Sequence, residues 1–149
     1  MQYIIRSVAL NNNLDAGGVA NNGVRTSDYH GDFNLFTLTA STSSPGYYQI
    51  KSTQTGLYLD SNSPDKNVYQ TSYTDSDYTL WKPVAAGNTG RFRLINLNRE
   101  RSGSGNGAIY LDSNAEGRHP YCSKFQNDNT NWYLCSKSGG ALQEVKWSF

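Results

Sequence analysis

The sequence predicts an all-β domain built from three copies of one unit. Three observations carry that prediction. A Leu-Asp pair recurs at Asp15, Asp60 and Asp112, and a large aromatic recurs at Phe36, Trp81 and Trp132. The steps are 45 and 52 residues for the aspartates and 45 and 51 for the aromatics, so two independent markers agree to within one residue. Short alternating runs are punctuated by Gly and Asn at strand spacing, and no 3.6-residue apolar period persists. The resulting division is one domain over 1–149, with units at 1–45, 46–89 and 90–137 and a tail at 138–149.

Each unit opens on an alternating strand. Tyr3 and Ile5, Tyr48 and Ile50, and Phe92 and Leu94 are the inward-facing residues. A second strand ends in Leu-Asp and adds Leu14, Leu57 with Leu59, and Leu111 to the interior, and Val24 and Val68 begin the third. A Gly/Asn/Asp loop then leads to the closing aromatic. Unit three is longer because RERSGSGNG, from Arg99 to Gly107, stands between its first two strands, and its composition predicts a hairpin loop. One unit of about 45 residues is too small to bury a stable core. Three meeting on a pseudo-threefold axis would give one closed core and few free strand edges. In the tail, Leu142, Val145, Trp147 and Phe149 alternate, as an added strand or an interface would.

Composition removes several function classes. The 149 residues carry a net charge of +1, which offers no field for nucleic acid or an anionic membrane. Apolar runs are too short to span a bilayer, and MQYIIRSVALNNN reads as a first strand rather than a leader. The expectation is a chain that is cytoplasmic, or secreted without a signal peptide, and a monomer or homodimer. Cys122 and Cys135 match no zinc spacing, and only His30 and His119 could assist, so neither metal nor cofactor is expected. A disulfide between the two cysteines stays open, a free pair being the favoured reading. Asp75 with Asp77 and Asp28 with Asp32 lie among loop residues, and no nucleophile or phosphate-binding motif accompanies them, which argues against an enzyme.

A strand ending in Leu-Asp, a polar turn, a second strand and a loop closing on an aromatic resembles the ricin-B-type β-trefoil lectins. Their closing Gln-x-Trp signature aligns with Asn34-Leu35-Phe36, Thr79-Leu80-Trp81 and Thr130-Asn131-Trp132, where the aromatic is kept and Gln is lost. The run from Thr55 to Trp81 is further similar to repeats of the actinohivin type. The resemblance implies a β-trefoil that binds glycans or glycoproteins at up to three shallow sites, galactose or N-acetylgalactosamine being favoured over mannose. It gives Asp15, Asp60 and Asp112 the role of accepting sugar hydroxyls. In unit two it adds Tyr69, Tyr73, Thr74 and Tyr78, and in unit three Tyr121, Phe125, Asn127 and Asn129. In unit one Arg25 and Phe33 stand at the partner positions. Asp28, Tyr29 and His30 are the residues left to rebuild a site, and this copy is expected to be the inactive one.

Two other readings compete. The aspartates could brace turns through their own backbone, and a trefoil can instead inhibit proteases or bind another protein through its loops. Arg91, Arg93, Arg99 and Arg101 fall within eleven residues and could form a patch for a sulfated glycan or nucleic acid.

Overall fold

The computed structural model describes residues 1–62, 67–87, 90–103, 107–114 and 119–147. Unit one contributes strands β1 (Ile4–Ser7), β2 (Asn13–Asp15), β3 (Arg25–Ser27) and β4 (Phe36–Ala40). Unit two contributes β5 (Tyr48–Ser52), β6 (Tyr58–Asp60), β7 (Tyr69–Thr71) and β8 (Leu80–Ala85). Unit three contributes β9 (Phe92–Asn96), β10 (Tyr110–Asp112), β11 (Tyr121–Ser123) and β12 (Trp132–Ser138). The first and last strands of the units pair in a ring: β1 with β12, β12 with β9, β9 with β8, β8 with β5, and β5 with β4. Tyr3 and Phe36 close the ring by exchanging both backbone hydrogen bonds at 2.8 Å. The same register recurs as Tyr48 opposite Trp81 and Phe92 opposite Trp132. This is a six-stranded barrel capped by three hairpins, β2–β3, β6–β7 and β10–β11. It is a β-trefoil.

Equivalent residues build the core. Leu14, Leu59 and Leu111, with Phe36, Trp81 and Trp132, are all within 1% of full burial. Trp81 and Trp132 each donate their indole Nε1–H across the unit to the carbonyl of Leu59 (3.0 Å) and Leu111 (2.9 Å). Phe36 has no donor to offer, and the amide of Asn34 takes over, reaching the Leu14 carbonyl at 3.1 Å. The sequence alternation overstates the interior at three points, since Tyr3, Tyr48 and Leu57 are only half-buried at the barrel rim, while Gln49 is buried. The cap is stitched between units: Val68 N–H donates to the Pro120 carbonyl, and the Gln70 amide donates to the carbonyls of Ala16 and Gly23.

Two expectations change. The stretch expected to be a hairpin loop begins as a helix, α1 (Leu97–Ser102). Asn96 caps it by accepting from Arg99 N–H, Gly103 ends it at φ 62°, and the side chains of Leu97 and Arg99 are buried beneath it. Ser104, Gly105 and Asn106 lie outside the described residues. The arginine run is also dispersed among the described residues: Arg99 is buried, Arg101 pairs with Asp77 and Arg91 pairs with Glu144, while Arg93 is half-buried. The tail adds strand β13 (Ala141–Val145) along β12, and Trp147 packs edge-on against Tyr48 and Phe92. Phe149 lies outside the described residues. Both cysteines are buried free thiols, and burial pushes Cys122 up to about 12.

Candidate functional site

At three corresponding corners the fold repeats one local design. Strand pairing sets Asp15 opposite Arg25, Asp60 opposite Tyr69 and Asp112 opposite Tyr121. Two residues further along the third strand a hydroxyl turns back to the carboxylate: Ser27 at 2.5 Å, Thr71 at 2.8 Å and Ser123 at 2.7 Å. The residue after each aspartate donates its backbone N–H to a 3-10 turn, from Ala16 to Phe33, Ser61 to Tyr78 and Ser113 to Asn129. These bonds fix the turn beside the carboxylate in every unit.

The hydroxyls are site residues that the repeat reading missed. The signal was present, since a Ser or Thr follows two positions beyond the partner of each aspartate.

The three carboxylates are not equally open. All three aspartates are at least 98% buried. Asp15 and Asp112 use both oxygens locally, Oδ1 accepting from Gly17 N–H (2.8 Å) and Asn114 N–H (2.7 Å). In these two copies the turn-brace role is real. A carboxylate has about four lone-pair sites, so bracing does not exhaust it. Asp60 differs: Oδ2 accepts from Thr71, while Oδ1 is buried with no hydrogen bond of good geometry among the described residues. Burial raises its pKa above the ordinary value of 3.8. The Tyr69 hydroxyl lies beside it, accepts from the Asn62 amide at 2.6 Å, and is pushed up to about 12 by burial and then by the Asp60 charge.

Aromatic side chains surround these carboxylates. Tyr29, Tyr73 and Phe125 occupy one equivalent position, two residues past the hydroxyl, and are 62%, 59% and 50% exposed. Phe33 and Tyr78 occupy another, in the 3-10 turns Asp32–Asn34 and Asp77–Thr79, at 44% and 41%. Asn129 holds that place in the third turn, Asp128–Thr130, which Asn127 caps. Thr74 is exposed on the unit-two loop, and its neighbour Asp75 is held by Ser41 and Thr42 of unit one. Asp75 and Asp77 are thus both engaged, and neither sits in a protected pocket as an acid-base pair would. Tyr121 is half-buried next to Asp112, and burial raises its pKa. Among the described residues, no group of three His, Cys, Asp or Glu could hold a metal, and no helix is long and apolar enough to cross a membrane.

Unit one, expected to be inactive, contains a partly open cavity. It has a volume of about 400 Å³ and is lined by Asp15, Arg25, Tyr29, His30 and Phe33 over the Gly17-Gly18 backbone. The glycines are there for close approach. A Cβ on Gly17 would lie 2.7 Å from Phe33 Cγ, and one on Gly18, at φ +75°, would lie 2.8 Å from Arg25 Cζ. Asp28 lies on the other side of Arg25, in a neighbouring cavity. Gly17→Ala is therefore expected to displace the Phe33 ring and cost about 1–3 kcal/mol by overpacking. Ring resonances of Phe33 and the unfolding midpoint would report both, and an unmoved ring would refute the contact.

The sequence matches the model of the ricin-type β-trefoil lectin domain-like family over residues 32–109, just over half of the chain. The chain belongs to that family. Solved structures agree on the fold. A designed threefold-symmetric protein, ThreeFoil, is similar at 25% identity and TM-score 0.69, over 89% of this chain and 96% of that one. SeviL, solved bound to the asialo-GM1 saccharide, is similar at 20% identity and TM-score 0.68, over 89% and 94%. An endo-β-galactosidase from Clostridium perfringens that releases GlcNAcα1-4Gal matches at 15% identity and TM-score 0.73, with this chain covering 31% of it. No curated protein matches the sequence. These findings bear on the family and the fold, not on the finer likeness of unit two to actinohivin-type repeats.

Proposed function

We propose that this ricin-type trefoil is a carbohydrate-binding lectin that works without catalysis. It presents up to three shallow sites that act together on glycans or glycoproteins. One observation carries the reading. Among the described residues, every exposed large apolar side chain other than Met1 lies at one of the three aspartate corners. A core has no use for such side chains, and a loop-borne inhibitor has no need to repeat them threefold. A sugar offers a C–H face to an aromatic plate and rim hydroxyls to a carboxylate, which is the pairing repeated here. Membership of a lectin-domain family, and a neighbour solved with a saccharide, support the same conclusion.

Unit two is the site we regard as complete. It combines the buried Oδ1 of Asp60, which accepts no hydrogen bond of good geometry among the described residues, the Tyr69 hydroxyl beside it, and the exposed rings of Tyr73 and Tyr78. A shallow site of this kind is expected to bind one sugar with a Kd on the order of 1 mM. Presenting several sites to a branched glycan raises avidity roughly 10²–10⁴-fold. Agglutination of glycan-bearing cells would follow. The galactose or N-acetylgalactosamine preference rests on the family resemblance.

The test is a titration with methyl galactoside and methyl mannoside, followed on the Tyr73, Tyr78 and Phe125 ring resonances, beside binding to a surface dense in galactose. Weak saturable shifts and tight surface binding are expected. Equal affinity for the free sugar and the surface would remove the multivalent part, and a stronger response to mannoside would remove the galactose preference. Rings that stay silent to both sugars would remove the lectin reading.

A further inference from the structure

Unit one departs from the other two in the residue set opposite its aspartate, and the departure is chemical. Where β7 and β11 set a tyrosine opposite the aspartate, β3 sets Arg25. Its Nε faces Asp15 Oδ2 at 3.3 Å, and the guanidinium lies flat on Gly18, whose lack of a Cβ makes that approach possible. The side chain remains 34% exposed, with the Tyr29 ring 5.7 Å from Cζ. Among the described residues, neither Nη atom has a hydrogen-bond partner. Asp15, by contrast, accepts from Gly17 and Ser27, and its charge is paired with Arg25. The corner has changed from an acceptor of hydroxyl protons into a donor.

Arg25 also stands between two cavities. The one of about 400 Å³ is lined by Tyr29, Phe33 and His30, whose carbonyl accepts from Lys137 Nζ at 2.9 Å. The other, of about 700 Å³, is lined by Asn12, Asp28 and His119. The Asp28 charge lies in the larger cavity, so an anion is favoured in the smaller one, where the Asp15 charge is already paired.

We propose that the unit-one cavity binds an acidic sugar, its ring stacked on Phe33 or Tyr29 and its anionic group held by the Arg25 guanidinium. This rests on the lectin reading and deepens it for one copy. A carboxylate can take the two free Nη donors side by side, and a sulfate can use the same fork. The preference should weaken as salt screens the partly exposed pair.

The experiment titrates the intact chain at low salt with methyl glucuronide, methyl glucoside, galactose 6-sulfate and galactose. It follows the Arg25 Nε–H and Phe33 ring resonances for unit one, and Tyr73 and Tyr78 for unit two. The expected result is that an acidic sugar binds unit one roughly tenfold or more tightly than its neutral counterpart, the scale of one hydrogen bond to a charged group. Arg25→Tyr, which installs the residue that units two and three place there, should erase that difference. Arg25→Lys keeps the charge without the fork and should retain only part of it. The glucuronide and sulfate arms say which anion fits. Equal unit-one binding of acidic and neutral sugars, or a preference that survives Arg25→Tyr, overturns the proposal while unit-two shifts leave the lectin reading standing. Silence of all these resonances to every sugar overturns both.

Discussion

Replacing Trp81 by Ala is expected to lower the unfolding free energy by about 3–5 kcal/mol, the range for emptying a large aromatic site in a packed core. Trp81 is fully buried where β8 meets β5, and its indole N–H is also the partner of the Leu59 carbonyl. The substitution therefore opens a cavity and strands a buried acceptor. Trp81→Phe separates the two effects. It keeps most of the ring and deletes the donor, so about 1–3 kcal/mol of unsatisfied-acceptor cost should remain. Unit one shows what a phenylalanine at this place requires, because there Asn34 supplies the missing donor to Leu14. Unit two has Thr79 at the position of Asn34, so Trp81→Phe combined with Thr79→Asn should recover part of the loss. Denaturant unfolding of the three variants checks this. A loss below about 1 kcal/mol for Trp81→Ala would mean that the threefold core is not what holds the barrel together.

The repeat was legible because its two markers do unlike jobs at fixed backbone positions. The closing aromatics fill the barrel, and the Leu-Asp pairs begin each hairpin, so neither tolerates a shift along the chain. Alternation was a weaker guide at the rim, where a barrel strand leaves its core and Leu57 or Tyr48 meets solvent. The helix Leu97–Ser102 was invisible to periodicity because it is under two turns long. It depends on a cap from Asn96 and on burying Arg99, and the sequence shows that arginine only as one more charge.

At the sites, residue types were readable and partnerships were not. Asp15, Asp60 and Asp112 look alike in sequence, yet one is paired to Arg25, one is braced on both oxygens, and one keeps a buried oxygen without a hydrogen bond of good geometry among the described residues. The Gly17-Gly18 doublet is, in sequence, one of the Gly and Asn breaks between strands. Its further purpose, letting Phe33 and Arg25 lie on bare backbone, depends on residues up to sixteen positions away.

The unequal aspartates give a prediction that a uniform turn-brace role cannot match. Asp60→Asn is expected to weaken sugar binding at unit two by roughly ten- to hundredfold, the worth of hydrogen bonds to a charged acceptor, while the fold holds. The amide oxygen can still accept from Thr71, and the amide nitrogen replaces an oxygen that accepts no hydrogen bond of good geometry among the described residues, with the Tyr69 hydroxyl beside it. The sign of the pH dependence follows from burial. Asp60 titrates above 3.8 in the folded chain, so its contribution to stability is present at low pH and is lost as pH rises through the folded value. At neutral pH the buried charge costs stability, and Asp60→Asn should be as stable as the parent or more so, the gap closing as pH falls toward about 4. Binding runs the other way, since protonating Asp60 removes the acceptor, and unit two should release sugar at a higher pH than an ordinary aspartate would dictate. Asp112→Asn is the contrast. Both its oxygens accept, from Asn114 N–H and from Ser123, so the amide leaves a buried donor unmet and should cost about 1–3 kcal/mol of stability along with any binding. Thermal unfolding from pH 4 to 8 beside sugar titrations separates the two carboxylates. Should Asp60→Asn keep its sugar, or unfold as readily as Asp112→Asn, Asp60 is a brace like the others and its Oδ1 is not the acceptor.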